Sequence, residues 1–482
     1  MKSAILAVCC LAAVASGQEW VDTLGHRYGG ERPGVSLALS DESRLYVLAS
    51  NNGMLMGTHA LLSRYKLDGT LVWTETLAFG SQSNPMFSAR VAAGKNIAAV
   101  ALVVDYHGRP REFHVFGFDS NGTQVWHHDY GSDTRASFCD ITVSAGDTVH
   151  VTGPVVPVSD SSSILTARYE PSGSPVWERY WTGHGGASDV VRCMALGPSG
   201  SVYIAGQTVS EDGATKPTVL KYLSDGTLDW VRRIGHPDTS DGGFRAIAVS
   251  QDTLIYAAGV NDFDPQASPV ACLAPDGEVR WRRYLPAKLT DLDVDGQGSL
   301  CVAGVSAGPA DFETWMMGHF GAVLWHSTWD GPGNLADEPR AIVVDPSGNV
   351  VVTGWSECSD PPGARTISTV KYSQAGDFKW AVHYRLHDND MAMGNDIAAD
   401  QGDNIYITGQ VTHPYQGGAM CLTMCYPPTP TGVTMGRATV GQDPGGQTFC
   451  RGVLPLAGSV EAALLDIVGR RVMCLRPGNN EA

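Results

Sequence analysis

The sequence predicts an all-β fold: an eight-bladed β-propeller of four-stranded antiparallel blades, closed by its N-terminal strand, with a short incomplete C-terminal β segment. Three observations lead there. A glycine stands four residues before a tryptophan at Gly69/Trp73, Gly122/Trp126, Gly173/Trp177, Gly226/Trp230, Gly277/Trp281, Gly321/Trp325 and Gly376/Trp380, with Trp-to-Trp steps of 44 to 55 residues. A fixed period of that length is the mark of a propeller or solenoid. Each period holds four short runs of strand character, and the incomplete units at the two ends are complementary.

The unit ending at Trp380 shows the pattern. Arg340–Asp345 is β-branched and apolar, and a Pro346-Ser347-Gly348 turn leads to a second apolar run, Asn349–Gly354. After a longer polar loop, Thr366–Tyr372 alternates as a half-buried strand, and a turn at Gly376 gives Phe378–Tyr384. Period-2 runs bounded by turn residues are antiparallel hairpins. Second strands recur as Leu45–Ala49, Ile97–Leu102, Val149–Gly153, Val202–Gly206, Leu254–Gly259, Leu300–Gly304, Val350–Gly354 and Ile405–Gly409. Most end in glycine, which permits close backbone approach where blades crowd at an axis, or a positive φ. Third strands carry Tyr65, Phe118, Tyr169, Tyr222 or Tyr372 four residues before the turn glycine, and these aromatics with the tryptophans are expected to fill the wedge between blades.

The ends predict how the ring closes. Trp20, 53 residues before Trp73, opens a strand with no third strand ahead of it, whereas the eighth unit has three strands (Asn395–Asp400, Asn404–Gly409, Ala419–Cys425) and then meets Pro427-Pro428. The first strand is expected to complete the last blade, removing a sheet edge at the seam and making unfolding cooperative.

The expected organisation is a signal peptide at 1–17, the propeller at 18–427, a Pro-rich linker at 428–434 and a sorting-domain-like β segment at 435–482. Met1-Lys2, an apolar run from Ala4 to Ala15 and small residues at Ala13, Ala15 and Gly17 have the order of a secretory signal. No later run is long and apolar enough to span a bilayer. The net charge of −17 excludes a nucleic-acid footprint. Cys139, Cys193, Cys272 and Cys301 fall inside apolar strands and read as buried thiols. Cys421 and Cys425, four apart in one strand, are too distant to bond each other.

These phrases together resemble the secreted bacterial β-propeller repeats of the SBBP type, from Asp345–Gly354 through Val370-Lys371-Tyr372 to Gly376-x-x-x-Trp380. The resemblance runs from about Trp20 to Tyr426 and departs most in the sixth unit, where Phe320-Gly321 replaces a polar turn. It implies a protein of the cell surface or outside, without naming a ligand. The C-terminal phrase Asp466, Gly469, Arg470, Val472 is similar to the sorting domains of the type IX secretion route, whose small β-sandwich is here expected to be truncated.

Long loops on a rigid scaffold are where binding residues concentrate. The second-to-third-strand loops are the long ones, and with the blade-to-blade loops they share one face. Their acids, Asp105, Asp160, Asp212, Asp262, Asp264, Asp311, Glu357 and Asp360, with Glu211, form the candidate ligand-binding rim. Asp291-x-Asp293-x-Asp295-Gly296 opens like a calcium loop, but Val302 stands where its bidentate acid belongs; a turn is the expected role of Asp295. Asp189, Asp241 and Asp337 recur before first strands as caps for free amides. His127 and His128 point to opposite faces. No nucleophile elbow, zinc-protease helix or phosphate loop is present.

The expectation is therefore no catalytic residue, no metal and no cofactor, in a monomeric, non-catalytic module that binds a protein or glycan through the long-loop face. The alternatives are an enzyme with its site in the axial cavity, as hydrolase, lyase or quinone-dependent dehydrogenase, and an envelope-assembly scaffold. The phrase Leu67–Trp73 also resembles repeats of pyrroloquinoline-quinone dehydrogenases, but the adjacent cysteine pair such enzymes often set against the cofactor has its counterpart here only at Cys9-Cys10, inside the signal peptide.

Overall fold

In the computed structural model, residues 20–24, 36–53, 57–79, 86–105, 112–131, 139–155, 163–183, 189–211, 213–235, 242–385 (without 263, 265, 307 and 309), 388–412 and 419–430 are described, with four short strands beyond residue 438. Among the described residues every element is a β-strand or a turn. The fold is a multi-bladed β-propeller. Seven four-stranded antiparallel meanders follow one another, from Ser36–Phe79 to Asp337–Tyr384. A further four-stranded set combines Met391–Ala399, Ile405–Thr412 and Ala419–Tyr426 with the N-terminal strand Trp20–Leu24.

That last pairing is the seam. Trp20–Leu24 runs antiparallel to the third strand with Trp20 opposite Cys425 and Leu24 opposite Cys421, as the complementary ends predict. The innermost strands, Ser36–Leu39, Met86–Ala93, Asp140–Val143, Val190–Leu196, Gly243–Val249, Ala287–Val294, Asp337–Val344 and Met391–Ala399, each touch the next, and the last touches the first. The sixth blade is complete despite its short period, with Phe320 projecting into solvent at the tip of its turn.

The recurrent glycine–tryptophan phrase is an interlock between blades. Each tryptophan donates its indole N–H to a turn carbonyl of the following blade: Trp73 to Ser120 (3.1 Å), Trp126 to Pro171 (3.0 Å), Trp177 to Ser224 (3.0 Å), Trp230 to Pro275 (3.0 Å), Trp281 to His319 (2.6 Å) and Trp325 to Gln374 (3.0 Å). The glycine of that same turn lies flat on the ring. A Cβ on Gly226 would sit 2.7 Å from the Trp177 indole, and Gly122, Gly173, Gly277, Gly321 and Gly376 meet the preceding blade's tryptophan at similar distances. These glycines also hold positive φ, +82° at Gly226. Trp380 reaches the Pro428 carbonyl (3.2 Å), so the chain leaving the last third strand completes the same contact.

The expected wedge packing is present. Tyr65, Phe118, Tyr169, Tyr222 and Tyr372 are buried, and Trp126 packs on Tyr169 with ring centroids 5.6 Å apart, as does Trp177 on Tyr222 at 6.0 Å. Among the strand-end glycines, Gly153 meets the crowding between blades expected of it, since its added Cβ would lie 2.6 Å from the Phe113 ring of the preceding blade, but three others answer to a different cause. A Cβ on Gly206, Gly259 or Gly354 would stand 2.0 Å from a carbonyl oxygen of the inner strand of its own blade, where the register slips by one residue. The bulge, not the neighbouring blade, demands the missing side chain there.

All seven cysteines from Cys139 to Cys425 are free and buried, as read for the strand cysteines. Residues 1–17, read from the sequence as a signal peptide, and most of the segment read as a linker lie outside the described residues. In the C-terminal segment, Thr439–Gln442 pairs with Thr448–Arg451, and Ala462–Leu465 with Arg471–Leu475.

Candidate functional site

The inner strands set the chemistry of the axis. At the bulge, one residue is skipped by the ladder: Arg192, Arg245, Thr290, Arg340 and Asn395 in successive blades, with Arg90 at the matching register of the second. Arg90, Arg245 and Arg340 are exposed and Arg192 is half-buried, so four guanidinium groups line the channel of an acidic protein.

An aspartate directly follows the bulge in two blades and opens the inner strand at the matching register in a third, and each one ties its blade to the next. Asp140 accepts Ile141 N–H (2.9 Å) on one oxygen and Met194 N–H (2.7 Å) on the other. Asp291 accepts Leu292 N–H (2.9 Å) and Ile342 N–H (3.0 Å). Asp396 accepts Ile397 N–H (3.0 Å), Leu37 N–H (2.9 Å) and the Ser36 hydroxyl (3.0 Å), which fastens the last blade to the first across 359 residues of chain. Asp293 repeats the clamp two residues after Asp291, from Val294 N–H to Val344 N–H. Burial pushes the carboxyls of Asp140 and Asp293 up to about 6 and of Asp291 up to about 7, with the bound amides pulling the other way. The Arg90 side chain touches solvent yet is crowded by protein, which opposes its charge, but Asp140, Asp396 and Asp291 around it outweigh that and raise its pKa.

This disposes of the calcium-loop pattern. Asp291 and Asp293 are blade clamps, and Asp295 closes a turn by accepting Gln297 and Ser299 N–H. It also bears on acid–base chemistry. A pair of catalytic carboxylates needs oxygens open to substrate or water; both oxygens of each clamp are held by main-chain amides.

The acids of the proposed rim have separate fates. Asp160 and Asp212 lie outside the described residues, and Asp105 ends a strand without a described side chain. Asp262 is exposed and faces Arg245 at 3.7 Å, so the rim acid and the channel arginine neutralise one another. Asp264 is exposed and caps a turn through Gln266 N–H (3.0 Å). Glu357 is half-buried, and Asp360 and Glu211 are exposed. Among the described rim acids, Asp311 alone joins a carboxylate cluster, with Asp330 and Asp337. His127 and His128 diverge as expected, toward His114 Nδ1 (3.1 Å) and Gly173 O (2.8 Å).

A pocket of about 500 Å³ opens on the opposite, tight-turn face. Gln251, Gln297, Gln374 and Gln401 line it with Asp295 and Ser347. Its further carboxylate, Asp345, is engaged by Lys371 Nζ at 2.7 Å and by Asn349.

Residues 197–229 match the model of a domain of unknown function described as a β-propeller (DUF5122). That stretch is the second and third strands of the fourth blade. No curated protein matches the chain. Among solved structures, it is similar to a protein of unknown function from Bacteroides caccae (12% identity, covering 56% of this chain and 90% of that one, TM-score 0.35). It is similar also to the WD40 domain of SCAP from fission yeast (10% identity, 84% and 98% covered, TM-score 0.46). A subtype N10 neuraminidase-like protein from a little yellow-shouldered bat isolate aligns at 9% identity (70% and 93% covered, TM-score 0.39).

Two groups escaped the sequence reading. The channel arginines carry no motif; the signal that marks them is their position three or four residues ahead of the inner-strand end, legible once bulges are placed. The clamp aspartates look like turn or calcium acids until the next blade's amides are seen beside them.

Proposed function

We propose that this chain is a non-catalytic binding module that offers its long-loop face to a protein or glycan at the cell surface or outside the cell. One observation carries the reading: the axial carboxylates that an enzyme of this shape would use are consumed as blade clamps, each with both oxygens on main-chain N–H groups. What remains on offer is recognition chemistry. Guanidinium groups sit at the channel and carboxylates around it, and such mixed charge favours specificity and steering over turnover. The SBBP-type resemblance and the sorting-domain-like segment 435–482 support a surface address.

The test is a binding screen of the secreted chain against glycans and surface proteins, with two sets of variants. Arg245→Ala with Asp262→Asn, and Glu357→Gln with Asp360→Asn, should weaken capture at least tenfold. Gln374→Ala with Gln401→Ala, on the far face, should leave it unchanged. Capture indifferent to the first set refutes the face assigned, and turnover of a hydrolase or lyase substrate refutes the non-catalytic reading. The amide-lined pocket favours a second reading, a small polar ligand on the tight-turn face, and the far-face pair reports on it directly.

A further inference from the structure

We infer that Asp311, Asp330 and Asp337 form a site for one hard divalent cation of the calcium type, which bridges the sixth and seventh blades on the long-loop face. Asp311 stands just before the strand Phe312–Met317, Asp330 directly after Val323–Trp329, and Asp337 opens Asp337–Val344. One oxygen from each lies within 4.8 Å of the other two. Burial raises the Asp337 carboxyl against the pull of the Gly331 amide and the nearby Ser356 hydroxyl, with Asp311 and Asp330 adding to the rise, as burial and Asp330 raise that of Asp311.

A carboxylate cluster alone would be unremarkable, but the molecule contains its own control. Asp189 occupies the same place in the fourth blade. One of its oxygens accepts Gly183 N–H (2.7 Å) and the other Val209 N–H (3.2 Å). Asp337 keeps the first bond, to Gly331 N–H (2.6 Å). The amide matching Val209 is that of Glu357, and it donates instead to Ala336 O (2.9 Å). Asp337 Oδ1 is left buried without a hydrogen bond.

Ser356 repeats the contrast. Its counterpart Thr208 pairs with Thr218 Oγ1 (2.8 Å) and Arg233 Nε (3.0 Å). Ser356 Oγ, on a residue with no exposed surface, has neither partner and stands beside the Asp337 carboxyl. A Cβ built on Gly331 would fall 2.5 Å from Asp337 Oδ1 and 2.9 Å from Ser356 Oγ, so this glycine keeps open the space into which both oxygens point. The cap expected of Asp337 is thus half made, and its second oxygen and a buried hydroxyl face two further carboxylates.

The donor set decides the ion. Three carboxylates and a hydroxyl, with no thiolate or imidazole, suit a hard cation, and calcium tolerates irregular oxygen shells of six to eight ligands completed by water. Two of the acids belong to one blade and the third to the next, so the ion would lock that junction. The inference does not depend on which face binds a partner.

The full chain, stripped with chelator, is titrated with terbium and then calcium. Trp329 and Trp355 adjoin Asp330 and Ser356 in sequence, so sensitised terbium emission should appear and be displaced by calcium, and calcium should raise the Tm. Asp311→Asn and Asp330→Asn should each weaken calcium at least tenfold, whereas Asp264→Asn, an exposed rim acid outside the cluster, should bind as wild type. Absence of both emission and a calcium-dependent Tm shift overturns the inference. So does a calcium response that Asp311→Asn and Asp330→Asn leave at full strength. If either variant proves unstable, Ser356→Ala provides the same reading through a smaller loss of affinity.

Discussion

Replacing Gly226 by alanine tests the interlock that sets the period of the chain. Gly226 holds φ +82°, and an added Cβ would lie 2.7 Å from the Trp177 ring. An L-residue in the left-handed region costs about 1–2 kcal/mol. Forcing a methyl into a packed contact costs about 1–3 kcal/mol more, and displacing the indole from Ser224 O gives up a hydrogen bond of about 1 kcal/mol. The expected loss is about 3–6 kcal/mol. Gly213 separates the terms, because it holds φ +81° with nothing within 4 Å of its added Cβ. Gly213→Ala should therefore cost only the backbone part, about 1–2 kcal/mol. Equilibrium urea unfolding followed by tryptophan fluorescence measures both, and in a Trp177→Ala background the excess at Gly226 should vanish, since a double-mutant cycle isolates the pair. Equal losses at Gly226 and Gly213, or an excess that survives Trp177→Ala, would refute the interlock.

The clamps make a pH prediction. A carboxyl whose folded pKa lies above its unfolded value contributes fully below about pH 4, and that contribution is lost as the pH rises through the folded pKa; for Asp291, raised to about 7 by burial, the loss runs from about pH 4 to about pH 7. The Tm of wild type relative to Asp291→Asn should accordingly fall across that range, and parallel curves would contradict the assignment. His150 and His383, lowered to about 4 by burial, act oppositely, losing stability as the pH falls from about 6.5; the comparison with Asp291→Asn cancels them. Asp396→Ala should open the seam first, seen as faster amide exchange in Ser36–Leu39 and Met391–Ala399 than in blades away from it. Asp345→Ala should cost about 3–5 kcal/mol by stranding the buried Lys371 ammonium, measured by denaturant unfolding. Cys139 and Cys272, whose thiols burial pushes up to about 12, should resist alkylation in the native protein and react on unfolding, as peptide mass analysis would show.

Much of the architecture was present in local pattern. Alternation, turn glycines and the repeated Gly-x-x-x-Trp phrase are written within single blades, because strand pairing inside a meander joins residues close in sequence. The unfinished ends announced their own pairing for the same reason: a strand lacking a partner and a sheet lacking a strand are each visible alone. Tertiary structure decided everything that lies between blades. Only there does Gly226 meet Trp177, Asp396 reach Leu37 across the seam, and the amide of Glu357 turn away from Asp337 while that of Val209 stays with Asp189. Such contacts join residues about 50 or more positions apart, or depend on which of two acceptors one amide selects. No local period encodes that choice, so identical-looking aspartates became a clamp, a turn and half of an open cluster.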